Sequence, residues 1–133
     1  MSVVNDTRVL AEFKSSLITF FDELISQFPS EPDLVIARIV LKDQVPIKDV
    51  VDEFNLKINM EDGLLKKMVK ERNETFFLEH NIFDYLGKDK VNNFKKLWRS
   101  GNLDDEDKEV VWKWIDSFIF LGDKYAKSMR GRG

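Results

Sequence analysis

A single histidine limits the acid–base chemistry that this chain could perform. His80 is the only histidine among 133 residues, and the chain has no cysteine. A Ser-His-Asp triad would have to be built around His80, while thiolate nucleophiles and cysteine metal sites are excluded. A lone histidine between Glu79 and Asn81 is more typical of a protein surface or of the rim of a core than of a catalytic site. The sequence therefore predicts that the protein is not an enzyme and holds no zinc.

The densest group of carboxylates lies at residues 104–107 and raises the question of a divalent cation. A calcium-binding loop that started at Asn102 would need glycine at position 107 and glutamate at position 113, but these positions hold Asp107 and Lys113. The same group suits the start of a helix, because Asp104 can cap the first turn and acidic residues face the positive end of the helix dipole. No carboxylate pair stands out for magnesium or for glycoside hydrolysis, and the scattered glycines form no phosphate-binding loop. We expect no metal and no cofactor.

Two basic segments, residues 66–72 and 88–99, carry the side chains that could contact nucleic acid. Single-strand binding sites combine basic and aromatic residues, and the second segment interleaves Phe94 and Trp98 with its lysines. Both aromatics share a helical stripe with Val91, however, which predicts that they face the core. The net charge of −3 provides no overall basic field. A nucleic-acid-associated accessory role is therefore the alternative interpretation. Its candidate residues are Lys66, Lys67, Lys70, Lys90, Lys95, Lys96 and Arg99.

The last segment, EVVWKWIDSFIFLGDKYAKSMRGRG, predicts a helix with an unusually wide apolar face. At about 100° per residue, one side of this helix collects most of the apolar side chains. These residues are Val111, Trp114, Ile115, Phe118, Leu121, Gly122 and Tyr125. Trp112 and Ile119 widen the face to about 200°, which exceeds the stripe of an ordinary surface helix. Either the helix is central in a bundle, or its flank contacts a partner.

Three residues of this helix are candidates for such a contact. Phe120 falls opposite the main stripe, among charged residues, while Trp112 and Ile119 lie on the widened flank. Because buried aromatic side chains dominate the binding energy of interfaces, Trp112, Ile119 and Phe120 are the predicted partner contacts. Gly122, on the buried face, predicts that another helix approaches closely.

Apolar periodicity predicts helices along most of the chain. The first runs from Leu10 to Phe28 and ends at Pro29, and the last runs from about residue 105 to 129. The next element is a helix at 34–41, capped by Ser30 and buried on most sides, for which a strand is the competing interpretation. A helix at 47–54 follows, and then a helix that Asn59 caps and that runs towards Phe76, with Gly63 either inside it or marking a break. The remaining elements are a core plug at 76–86 and a helix at 91–98, ended by Gly101.

These elements predict an all-α fold. We expect residues 1–133 to form one domain, a bundle of five to six helices with the long first and last helices packed antiparallel. Residues 1–6 and 130–133 are predicted to be flexible ends. The first residues carry charges where a signal peptide would be apolar, and no apolar run is long enough to span a membrane. We expect an intracellular protein with no membrane contact.

Three segments carry a family resemblance: FKSSLITFFDELISQFP, FFLEHNIFDYLGKDKVNNFKKLW and VVWKWIDSFIFLGDKY. With them the chain resembles a group of small uncharacterised proteins encoded by nucleocytoplasmic large DNA viruses of algae and amoebae. The resemblance covers most of residues 10–127 and rests on aromatic and aliphatic positions, so it implies a shared fold and no particular active site. It also implies a viral origin and a location in the host cytoplasm or the virion. We predict a non-enzymatic protein-interaction or structural module, a virion or virus-factory component, whose partners are other proteins or further copies of the chain.

Overall fold

The structure, a computed structural model, describes residues 2–79, 95–101 and 103–132. Within these ranges all regular structure is helical, which confirms the all-α prediction. The elements are α1 (Ser2–Gln27), α2 (Pro32–Ile39), a π-helical turn (Val40–Gln44), α3 (Ile47–Lys70), α4 (Glu74–Glu79), a helical segment at residues 95–99, and α5 (Asp105–Arg132). His80, Lys90 and most of the predicted plug at 76–86 lie outside the described residues.

The long helices α1 and α5 pack antiparallel, as predicted. At one end the Ser128 hydroxyl donates a hydrogen bond to the Asp6 carboxylate, and towards the other end Trp114 Nε1 donates to Glu23 Oε2 over 2.8 Å. Asp6 is buried, and residues 2–6 are helical although the sequence places them in a flexible end. Between these two contacts the apolar stripes of both helices meet and form the core.

The start of α2 differs from the prediction by one residue. Pro32 stands in the first turn, as expected, and its ring restricts the residue before it to extended backbone. Glu31 accordingly has φ −99° and ψ 93° and is the N-cap residue, so the prediction of a Ser30 cap is wrong.

One face of α2 is open to solvent. The segment is a helix and not a strand, but Val35, Ile36 and Ile39 are each between 42% and 44% exposed. Because α2 packs against α1 and buries Leu34 and Ala37, its outer side remains uncovered by the described residues. The prediction that this helix is buried on most sides is therefore wrong.

Of the two alternatives for Gly63, the structure has the break, which lies within α3. Met60 has extended backbone and the next three residues, ending with Gly63, have left-handed φ values of 53°, 59° and 81°. The predicted cap at Asn59 is wrong, since the Asn59 amide donates back to the Asn55 carbonyl over 2.9 Å. The second half of α3 ends at Lys70 rather than near Phe76, and the chain then enters α4.

The start of α5 is a reciprocal capping arrangement. The Asp107 backbone N–H donates to Asp104 Oδ1 over 2.8 Å, and the Asp104 N–H donates to Asp107 Oδ2 over 3.3 Å. Each side chain satisfies a backbone donor that the helix itself leaves free. This confirms the interpretation of residues 104–107 as a helix start.

Replacement of Asp104 by alanine is expected to lower the free energy of unfolding by about 1 kcal/mol, because a capping acceptor is lost. Asp104→Asn keeps an acceptor oxygen and should lose less. Asp105→Ala removes a carboxylate from the same first turn without touching the cap and is the control. Urea denaturation followed by circular dichroism measures all three. An equal loss in Asp105→Ala would show that negative charge, and not the cap, stabilises this end.

Gly122 is a point of close approach between α3 and α5. The Asn55 side-chain amide donates to the Gly122 carbonyl over 3.1 Å, and a Cβ at position 122 would overlap the Asn55 side-chain oxygen. This confirms the predicted close approach at Gly122. The glycine therefore stands in the middle of a long helix despite a propensity cost of about 1 kcal/mol.

The two residues are expected to be coupled in stability. Gly122→Ala alone should gain helix propensity but displace Asn55, for a net loss of about 1 kcal/mol. In an Asn55→Ala background the overlap is gone, and the same replacement should stabilise the protein by up to about 1 kcal/mol. A double-mutant cycle by urea denaturation tests this reversal. Additive effects would contradict the close contact.

Candidate functional site

Trp112, a predicted partner contact, lies in the core. It is 3% exposed, and its ring packs 5.0 Å from the Phe77 ring and 5.4 Å from the Trp98 ring, measured between centroids. The wide apolar arc of α5 is wide because α4 and the 95–99 segment cover the flank that carries Trp112. The prediction that Trp112 contacts a partner is therefore wrong, because the side chain is buried within its own chain.

The other two predicted contacts occupy different positions. Ile119 is half-buried and packs against the core, whereas Phe120 is 66% exposed. The sequence correctly places Phe120 on the outer side of α5. Phe120 and the rim of Ile119 stay candidates for a partner contact.

The basic candidates for nucleic acid are partly neutralised by acidic neighbours. Lys66 pairs with Asp123 at 2.8 Å. Lys67 lies 4.0 Å from a Glu71 oxygen, and Arg99 lies 3.4 Å from one of Glu79. Among the described residues no ion pair involves Lys70, Lys95 or Lys96. Trp98 is buried, as the sequence predicts, and cannot stack on a base.

The charge of Arg72, a partly exposed side chain, is paired with acidic residues of the same chain. Its guanidinium donates to both Asp116 oxygens, at 3.1 and 2.9 Å, to Glu109 at 3.2 Å and to the Val69 carbonyl at 3.1 Å. It also lies 5.5 Å from the centre of the Trp112 ring. The hydrogen bond with Asp116 raises the pKa of Arg72 above its ordinary value. This arrangement ties the end of α3 to α5 and adds a cation–π contact.

A cleft of about 330 Å³ lies where the second half of α1 meets the first half of α5. Its lining combines apolar side chains with two carboxylates and one amide. The lining residues are Phe20, Glu23, Leu24, Gln27, Asp107, Val110, Val111 and Trp114. Val110 is 47% exposed and Trp114 is half-buried, so apolar surface in the cleft is open to solvent.

Both carboxylates of the cleft are held by one hydrogen bond each. Glu23 Oε2 accepts from Trp114 Nε1, and Asp107 Oδ2 accepts from the Asp104 backbone. Their remaining oxygens accept no hydrogen bond from any residue that the structure describes. Among the residues that the structure describes, no basic side chain lines the cleft, and α1 has none in its last turn to offset the negative end of its dipole. The described lining of the cleft therefore carries two carboxylates and no cation.

The sequence does not reveal this cleft. In the sequence, Glu23 is an ordinary polar residue beside the apolar stripe of α1, and the helix cap fully explains Asp107. Within residues 2–79, 95–101 and 103–132 no group of three or more histidine, cysteine, aspartate or glutamate side chains is arranged to hold a metal ion. None of the helices described has the length and apolar character that a membrane crossing requires.

Comparison of the chain with models of protein families, with curated proteins and with solved structures found no match. The viral origin implied by the sequence resemblance consequently stays a prediction.

Proposed function

We propose that the protein is a non-enzymatic protein-interaction module that receives a segment of a partner protein in the cleft between α1 and α5. The observation that carries this proposal is the solvent-exposed apolar surface of Val110 and Trp114 beside two carboxylates, Glu23 and Asp107, each of which accepts one hydrogen bond. Burial of exposed apolar surface drives association, while fixed polar groups orient the bound segment.

The size of the cleft favours a few side chains over a whole cofactor. Small-molecule sites typically enclose about 300 to 1,000 Å³, so a volume of about 330 Å³ lies at their lower end. A protein segment can insert one or two side chains and continue along the adjoining helix surfaces. A nucleic-acid role is less well supported, because the cleft is acidic and Lys66, Lys67 and Arg99 have carboxylates nearby. A place in a virion or virus factory rests on the sequence resemblance alone.

A photo-crosslinking residue, p-benzoylphenylalanine, placed at position 110 tests this function in cells that express the full chain. The same residue at position 120 tests the outer face, and at exposed position 53 it serves as the control. We expect a discrete adduct from position 110 that disappears when Gln27→Trp fills the cleft. A covalent dimer of the chain would identify the partner as a second copy.

No adduct at position 110, or the same adducts at 110 and 53, would contradict the proposal. Adducts from position 120 alone would move the interface to Phe120.

A further inference from the structure

We infer that the occupant of the cleft is a basic segment of the partner, whose lysine or arginine side chain lies against Trp114 with its charge between Glu23 and Asp107. This inference rests on the proposed function and adds the chemistry of the ligand. Among the described residues, the lining of the cleft has two carboxylates and no cation. An acidic or nucleic-acid ligand would place like charges together, which is unfavourable.

Two basic residues near these carboxylates, Lys108 and Arg38, are engaged elsewhere. Lys108 follows Asp107 but pairs with Glu74 at 3.2 Å and lies 5.7 Å from the centre of the Trp98 ring. Arg38 reaches the helix that carries Glu23 but pairs with Asp22 at 2.6 Å. Neither of these two side chains therefore neutralises the carboxylates of the cleft.

The lining of the cleft suits a lysine or arginine side chain, which combines a charged end with apolar methylene groups. The N–H of Trp114 is already satisfied by Glu23, so covering the indole leaves no polar group without a partner. Lysine and arginine side chains lay their methylene groups on apolar surface such as Val110 while their charges stay on polar groups. One oxygen of each carboxylate is held in place and the other can accept, which reduces the ordering required on binding.

The protein contains the same recognition chemistry within its own fold. Arg72 lies over Trp112 while its guanidinium is bound by the carboxylates of Asp116 and Glu109. The cleft offers the equivalent partners, a tryptophan and two carboxylates, on the other side of α5, but without the arginine. A basic residue from a partner would complete it.

Fluorescence anisotropy with labelled synthetic peptides tests the inference. The probe is a short amphipathic peptide of arginine and leucine, and two matched peptides carry glutamine or glutamate in place of arginine. Binding of the arginine peptide to the intact protein should weaken at least about tenfold in Glu23→Gln/Asp107→Asn, because both charges are removed while both acceptor oxygens stay. The control, Glu53→Gln/Asp49→Asn, removes the same charges outside the cleft and should bind like the unmodified protein.

Equal binding to both double variants would overturn the inference, because the affinity would then come from overall charge. Equal or tighter binding of the glutamine or glutamate peptide would also overturn it, as would no binding of the arginine peptide. In these cases the proposed function stands if p-benzoylphenylalanine at position 110 crosslinks to a partner protein in cells. If no crosslink forms at position 110, the proposed function is contradicted, whichever peptide binds in vitro. Circular dichroism melts of each variant verify that the fold is intact.

Discussion

Replacement of Trp112 by alanine is expected to lower the free energy of unfolding by about 3 to 5 kcal/mol, the range for large aromatic deletions in a core. The ring is buried against Phe77 and Trp98 and is covered on one side by the Arg72 guanidinium. Its removal leaves a cavity and also ends the cation–π contact. Urea denaturation, followed by far-ultraviolet circular dichroism, measures the change.

Trp112→Phe is the matched comparison, because it keeps an aromatic ring next to Phe77 and Arg72. Trp112→Phe should lower the free energy of unfolding by less than half as much as Trp112→Ala does. A loss below about 1 kcal/mol for the alanine variant, the size of an average substitution, would show that the ring is not held in the core. Trp112 would then again be available to a partner.

The sequence predicts the helices well because each long helix has its own apolar period. The stripes of α1 and α5 identify both elements, and two long amphipathic helices of one small domain bury their stripes most simply against each other. The capping pair at Asp104 and the position of Gly122 on the buried face of α5 are equally local signals, although the partner of Gly122, Asn55, is not. Such features depend on residues only a few positions apart.

The role of Trp112 could not be predicted because it depends on distant segments. The wide arc of α5 is compatible with a central helix or with an exposed flank, and only the positions of α4 and the 95–99 segment decide between them. Arg72 illustrates the same limit. Its place in a basic segment suggests a solvated face, yet the turn after α3 carries its guanidinium onto Trp112.

The cleft depends on two helices that are far apart in sequence. Glu23 and Asp107 each have an ordinary explanation within their own helix, and nothing in either segment shows that the other carboxylate lies nearby. Only the antiparallel packing of α1 on α5 brings both to one site. Sequence patterns reveal which residues a helix buries, but not which polar residues two helices bring together at their rim.

The second large effect is expected at Phe118, the residue that joins three helices at the centre of the core. It is 0% exposed, and its ring centroid lies 5.3 Å from Phe13 and 5.7 Å from Phe20 in α1, and 6.4 Å from Phe54 in α3. Phe118→Ala should lower the free energy of unfolding by about 3 to 5 kcal/mol, since the cavity cannot be refilled without moving several rings. Small domains have a total of only about 5 to 15 kcal/mol, so the variant should be close to unfolding.

Phe120→Ala is the matched control, because it makes the same change two residues further along the same helix. Because Phe120 is 66% exposed, Phe120→Ala should lower the free energy of unfolding by no more than about 0.5 kcal/mol. Thermal melts of both variants, followed by circular dichroism, should therefore show a lowered midpoint for Phe118→Ala and an almost unchanged one for Phe120→Ala. Similar midpoints would contradict the orientation of α5 about its axis. Because Trp114 and Val110 lie on that same helix, such a result would also displace the cleft on which the proposed function depends.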